Sequence, residues 1–272
     1  MTYLQAVTLG LIQGLTEFLP VSSSGHLALT QTLWKLEPDS SAMLWFDVCS
    51  HLGTLVAVGV VFAGTFGRFA TRLWRESSSR FVGQRVGWRI VALTVAASIP
   101  TAVIGLIFKD DLQAAFGKPT WIGVGLLVTG GLLWSTGRAA RPRRGWGRFS
   151  WWRAALVGLA QGVAILPGIS RSGSTIGCAM LLGLKRRWAG QFSFLIAVPA
   201  IVGATLLEFA DLRSLPANSV GRAGPVLLGS AVAMLSGYAA LRILLGVVQR
   251  AQLHLFAYYC WVIGAAVIIW MR

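Results

Sequence analysis

The chain has 272 residues, of which 55% are hydrophobic and 12% charged, and its mean hydropathy is +0.68. These figures exclude a soluble globular surface, a disordered segment, a coiled coil and a small disulfide scaffold, each of which needs far more charge or far more cysteine. The net charge of +15 would suggest nucleic acid in a soluble protein. Here the basic residues fall between apolar stretches, as in membrane topology, so membrane lipids and no nucleic acid are the expected partners.

Met1-Thr2-Tyr3 brings no basic region, and the first apolar run carries Gln13 and Glu17, which argues against a cleavable signal peptide. Residues 3 to 36 are apolar but interrupted by FLPVSSSGH, and read as two short helices joined by a polar turn. Spans are expected at 45 to 66, 88 to 108 and 120 to 137, each near the roughly 20 residues that cross a bilayer. Residues 151 to 184 repeat the broken pattern around LPGISRSGST, and further spans follow at 190 to 210, 225 to 248 and 253 to 271. Irregular backbone at membrane depth must be buried in protein or line a wet cavity. The expected fold is therefore an all-α integral membrane protein, with six transmembrane helices and two re-entrant helical hairpins in one membrane domain, 1–272.

Seventeen of the 24 basic residues fall at 68–89, 138–153, 185–187, 242 and 250; six lie on the opposite faces, and Arg171 belongs to the second broken segment. Short cytoplasmic loops carry excess Lys and Arg, so both termini are expected outside the cytoplasm. Gly10-Leu-Ile-Gln13-Gly14 matches Gly158-Leu-Ala-Gln161-Gly162 at an offset of 148, and Ser22-Ser23-Ser24-Gly25 matches Ser170-Arg171-Ser172-Gly173 at the same offset. Two repeats are expected, about 1–148 and 149–272. Each holds one hairpin and three spans, and that odd number inverts the second copy.

Glu17 sits inside an apolar helix, where an ionisable group is costly enough to suggest function, and Gln13 shares its helical face. Pro20 stops that helix, and Ser22, Ser23 and Ser24 precede another that carries His26. In the second hairpin Pro167 and Gly168 make the break, and Ser170, Arg171, Ser172 and Thr175 open the next helix. Two helix N-termini with hydroxyls and an arginine suit a strongly anionic ligand, above all phosphate. A structural alternative pairs Arg171 with Glu17 and uses the hydroxyls only to satisfy broken backbone.

The run QGLTEFLPVSSSGHL at 13–27, together with LPGISRSGST at 166–175, resembles the two signature regions of the bacterial undecaprenyl-diphosphate phosphatases, the bacitracin-resistance family. The resemblance covers essentially the whole chain, including FDVCSHLGTLVAV and FSFLIAVPAIVGAT. It implies a multi-pass enzyme of the bacterial inner membrane that hydrolyses a polyprenyl diphosphate to the monophosphate, recycling the lipid carrier of cell-wall synthesis. The family's acidic motif falls on Gln13 and Glu17, its serine-rich turn on Ser22 to Ser24, its histidine on His26 and its PGxSRSxxT motif on Pro167 to Thr175. A divalent cation, Mg or Ca, held by Glu17 and Gln13 is expected, although many members have a second glutamate where this chain has the neutral amide of Gln13, which weakens such a site.

The catalytic candidates are His26, Glu17, Ser23 and Arg171. Gln13, Ser22, Ser24, Gly168, Ser170, Ser172 and Thr175 are the substrate-binding candidates. His26 is the favoured nucleophile, with Glu17 fixing its tautomer or positioning the metal or the water; Ser23 with His26 as base, and direct attack by water, stay open. The active site is expected to open to the periplasmic or outer side, and a homodimer is left open. Asp47 and His51 are weaker candidates, His254 reads as an interface residue, most tryptophans as aromatic belts, and Asp110 and Asp111 as an exposed loop. The rival class is an inverted-repeat transporter or lipid flippase.

Overall fold

The computed structural model describes residues 1–37, 40–78, 83–138, 144–213 and 223–271. Arg80, Arg141, Arg143, Arg222 and Arg272, part of the charge pattern above, lie outside the described residues. The helices are α1 (Tyr3–Phe18), α2 (Ser23–Leu33), α3 (Ser41–Ser77), α4 (Val86–Ile107), α5 (Lys109–Phe116), α6 (Pro119–Arg138), α7 (Trp151–Val163), α8 (Arg171–Leu181), α9 (Arg186–Arg213), α10 (Ala223–Gln249) and α11 (Phe256–Trp270). Among the described residues there are no strands.

Both broken segments fold as helical hairpins, α1–α2 and α7–α8, with the breaks where Pro20 and Pro167-Gly168 fall. Among the described residues, five helices are long and apolar enough to span a membrane: α3, α4, α10, residues Arg186–Leu207 of α9, and Leu253–Trp270. This is a multi-pass membrane protein. The expected third span exists as α6, 20 residues long, but it falls short in apolarity. Its glycines and threonines explain this, since Gly125, Thr129 and Gly130 are buried against protein instead of lipid. Asp110 and Asp111, expected in a loop, occupy the first turn of α5, where negative charge favours a helix start.

Hydrophobicity does not drive helices together inside lipid, so close packing of small residues must. Gly10 and Gly14 let α1 lie directly on the backbone of α10 at Gly229, Ala233 and Gly237. Gly158 lets α7 lie on α4 at Ala97, and Gly162 faces Ile104. A side chain at Gly10 or Gly158 would collide with the facing carbonyl. The central core joins Phe18, Phe62 and Phe194 in tilted ring contacts, with centroids 5.8 Å and 5.4 Å apart. Trp88, Trp121, Trp151, Trp152 and Trp270 are exposed on the outer surface.

Candidate active site

Each break ends in a serine that starts the next helix. Ser22 caps α2 by accepting from the Gly25 N–H at 3.3 Å, and Ser170 caps α8 by accepting from the Gly173 N–H at 3.1 Å. A cap of this kind satisfies one of the free N–H groups at a helix start and leaves others for an anion. Ser22 holds a φ of 71°, a left-handed conformation that a non-glycine residue keeps only where its surroundings enforce it.

The two tips meet. Ser172 Oγ donates to the Leu19 carbonyl at 3.4 Å, and Cys260 Sγ donates to the Pro20 carbonyl at 3.6 Å. Thr129 of α6 clamps the second tip, accepting from Ser170 N–H at 3.0 Å and donating to the Gly168 carbonyl at 3.1 Å. Gly25 and Gly168 approach so closely that a Cβ on Gly25 would stand 3.0 Å from the Gly168 nitrogen. Gly168 itself has a φ of 85°, available to glycine without strain.

Glu17 sits at the junction. Its Oε1 accepts from Arg171 at 2.5 Å, and its Oε2 accepts from Ser23 Oγ at 2.5 Å and from Gln13 Nε2 at 3.3 Å. The ion pair between residues 154 apart in sequence is partly shielded, with side-chain exposures of 5% for Glu17 and 21% for Arg171. A cavity of about 780 Å³ opens on this cluster. Glu17, Ser22, Ser23, Ser24, Ser170 and Arg171 line its polar end. Its other end runs between α4 and α9, where Ala102, Gly105 and Leu106 face Gly203, Ala204 and Leu207. Leu106 and Leu207 are also exposed on the outer surface, so the cavity reaches the lipid-facing side.

The remaining candidates lie off the cavity wall. Gln13 is fully buried behind Glu17, and its Oε1 makes no hydrogen bond. Thr175 is buried, donating to the Arg171 carbonyl at 2.8 Å and lying 2.5 Å from Ser193 Oγ, which ties α8 to α9. Ser172 and Gly168 join the two tips, as described above. The His26 ring is off the cavity wall. Its Nδ1 lies 2.8 Å from the Ser22 carbonyl, which can only accept, so Nδ1 carries the proton and Nε2 accepts from the Tyr259 hydroxyl at 2.8 Å. The Ser22 carbonyl therefore fixes the tautomer, in place of the expected Glu17, because the helical turn from Ser22 to His26 points the ring back over its own cap.

Other residues acquire a place at the site that their sequence context did not reveal. His51, only a weak candidate, lines the same cavity as Glu17. Gln161, whose match to Gln13 was the available signal, donates to Thr101 at 3.1 Å and to the Ile196 carbonyl at 3.3 Å on the cavity wall. Thr129 and Tyr259 are located only by the fold. His254 sits beside Gly137, its Nδ1 3.1 Å from the Ala251 carbonyl, remote from the cavity.

Among the described residues no group of three or more His, Cys, Asp or Glu side chains could hold a metal ion. Among the described residues, Glu17 is the one carboxylate on the cavity wall. That donor set fits a cation in a single mode, the one magnesium uses when one carboxylate and the oxygens of a substrate phosphate share it.

The bacitracin resistance protein BacA family matches residues 6–266. A protein of Desulfosudis oleivorans named undecaprenyl-diphosphatase is 44% identical, over 98% of each chain. Proteins of the same name from Syntrophotalea carbinolica and Carboxydothermus hydrogenoformans are 43% and 40% identical, covering 97% and 99% of this chain and 97% of each relative. With its paired hairpins and its motifs at the cavity, the chain belongs to the BacA family of bacitracin resistance proteins.

Proposed function

We propose that the chain hydrolyses undecaprenyl diphosphate to undecaprenyl phosphate and inorganic phosphate. One observation carries this reading beyond family membership: an arginine, a carboxylate and serine hydroxyls from two helix starts converge at the polar end of a cavity whose other end is apolar and reaches the lipid-facing surface. A long isoprenoid chain would rest between α4 and α9 while the diphosphate reaches Arg171 and the helix N-termini.

In this mechanism Arg171 leaves Glu17 for the phosphate oxygens and stabilises the charge spreading over the transferring phosphoryl. Ser23 Oγ, 2.5 Å from Glu17, attacks the terminal phosphorus as Glu17 accepts its proton. The bridging P–O bond breaks, and the lipid monophosphate departs with the bond's electrons. Glu17 passes that proton to the departing monophosphate; water then attacks the phosphoserine as Glu17 accepts its proton, which goes on to the leaving Ser23 Oγ. Ser23 is favoured over His26 because it lines the cavity, whereas the His26 ring faces Tyr259. Glu17 would hold a divalent cation arriving with the diphosphate, which supplies further neutralisation of phosphate charge.

The repeated pairing of a hairpin with a long helix, α1 on α10 and α7 on α4, supports an inverted repeat with the site between its copies. Together with the basic loops it supports residence in the cytoplasmic membrane, with the cavity open to the outer side. The deciding experiment measures phosphate released from a long-chain polyprenyl diphosphate by purified protein, with acid-quenched trapping of labelled protein. The expected adduct is acid-stable and absent in Ser23→Ala. An acid-labile adduct would move the chemistry to His26, and absence of turnover would remove the assignment.

A further inference from the structure

A second cavity of about 310 Å³ lies between α3, α9 and α10 and shares no residue with the first. Fourteen positions along α3 separate His51 in one from Thr65 in the other, about 21 Å at the rise of an α-helix. Phe62 and Val248, both buried, form part of an apolar floor. Thr65, Arg186, Arg187, Gln191 and Gln249 supply polar groups, and among the described residues no carboxylate lines the wall.

The electrostatics at this wall are incomplete without a ligand. Helix α9 is 28 residues long and begins at Arg186. Lys185, Arg186 and Arg187 therefore place positive charge at the end where the helix dipole is positive too, and the first turn holds no acidic residue. At the start of α4 the same protein uses a carboxylate. Glu76 reaches over from α3, accepting from the N–H groups of Gly87 and Trp88 at 3.0 and 3.1 Å and from Arg72 Nε at 2.6 Å. At α9 a cavity stands in that place. Arg186 Nε is buried and makes no hydrogen bond, a donor left unsatisfied at a cost unless something accepts from it. The Arg187 guanidinium lies 5.4 Å from the ring centroid of Trp188, a contact that steadies it at the rim.

We propose that this cavity binds the phosphate group of an anionic membrane lipid from the leaflet at the basic face of the protein. Arg186 and Arg187 pair with the phosphate, Thr65 and Gln191 hydrogen-bond the head group, and the apolar floor receives the start of the lipid's glycerol backbone. The volume lies at the lower end of small-ligand sites, about 300 Å³ upward, which suits a head group and not a whole lipid.

The test uses the purified full chain in a maltoside detergent, titrated separately with short-chain phosphatidylglycerol, short-chain diacylglycerol and inorganic phosphate. Melting temperature and adducts in native mass spectra are read for each. Phosphatidylglycerol should raise the melting temperature saturably and diacylglycerol should not. The double variant Arg186→Gln, Arg187→Gln should weaken that response by about tenfold or more, the loss expected when charge-assisted hydrogen bonds go, with phosphate release unchanged. Equal protection by inorganic phosphate, lost in the same variant, would make a free anion the occupant and overturn the lipid assignment. No saturable response, or one the variant leaves intact, would overturn the site itself. If the double variant does not fold, Gln191→Glu, which sets a carboxylate on the same wall, must abolish the phosphatidylglycerol response.

Discussion

Glu17 is the residue on which the site turns, because three donors converge on its two oxygens. Removing Arg171 strips the pocket of its cation, and Arg171→Ala should lower the rate of phosphate release by about 10²–10³-fold while folded yield is kept; near-normal turnover would take Arg171 out of the site. His26 and Tyr259 form a contact off the cavity wall, so Tyr259→Phe should cost about fivefold or less, the value of one ordinary hydrogen bond. A Gln13→Glu change replaces an amide donor with a second buried carboxylate beside Glu17, a repulsion that a proton or a cation must relieve. Its activity should therefore rise more steeply with added magnesium than that of the parent, and identical magnesium curves would argue against this account. The sequence brought Gln13 and Glu17 to one helical face and gathered hydroxyls around each break, since both follow from spacing. It did not reveal that His26 turns to Tyr259, 233 residues away, because contacts across a bundle depend on how its helices cross.

At the scale of elements, α1 and α7 owe their positions to glycine. The expected hairpins and their breaks at Pro20 and Pro167 are observed, since apolar periodicity and helix-breaking residues are local signals. Which helix each hairpin would lie against was not legible, although the glycines that permit the contact, Gly10, Gly14 and Gly158, stood out through their repetition. Gly14→Leu should force α1 away from α10, with a penalty of about 1–3 kcal/mol or more from overpacking. It is read as a lower melting temperature in detergent and a smaller folded fraction. The same substitution at Gly131, which has open space around it, should leave both unchanged. The weak apolarity of α6 has a similar source: Thr129 is needed to hold the Gly168–Ser170 turn, and a purely apolar helix could not do so.

For the whole molecule, the cavity's two ends make separable demands on a substrate. Enlarging Ala204 on α9 narrows the apolar end without touching Glu17 or Arg171. Ala204→Phe should therefore raise KM for a long-chain polyprenyl diphosphate several-fold, about the worth of displaced apolar contacts, and leave kcat on a short-chain diphosphate unaltered. A parallel loss on both substrates would show that the tail does not lie between α4 and α9.

The contact between Arg171 and Glu17 also bears on what happens after the reaction. In the proposed reaction a guanidinium that grips phosphate would have a rival waiting within the protein itself, and the returning carboxylate would compete with the leaving anion for the same donors. The resting centre would thereby shield its own charge, and the molecule would reset without holding on to what it has made.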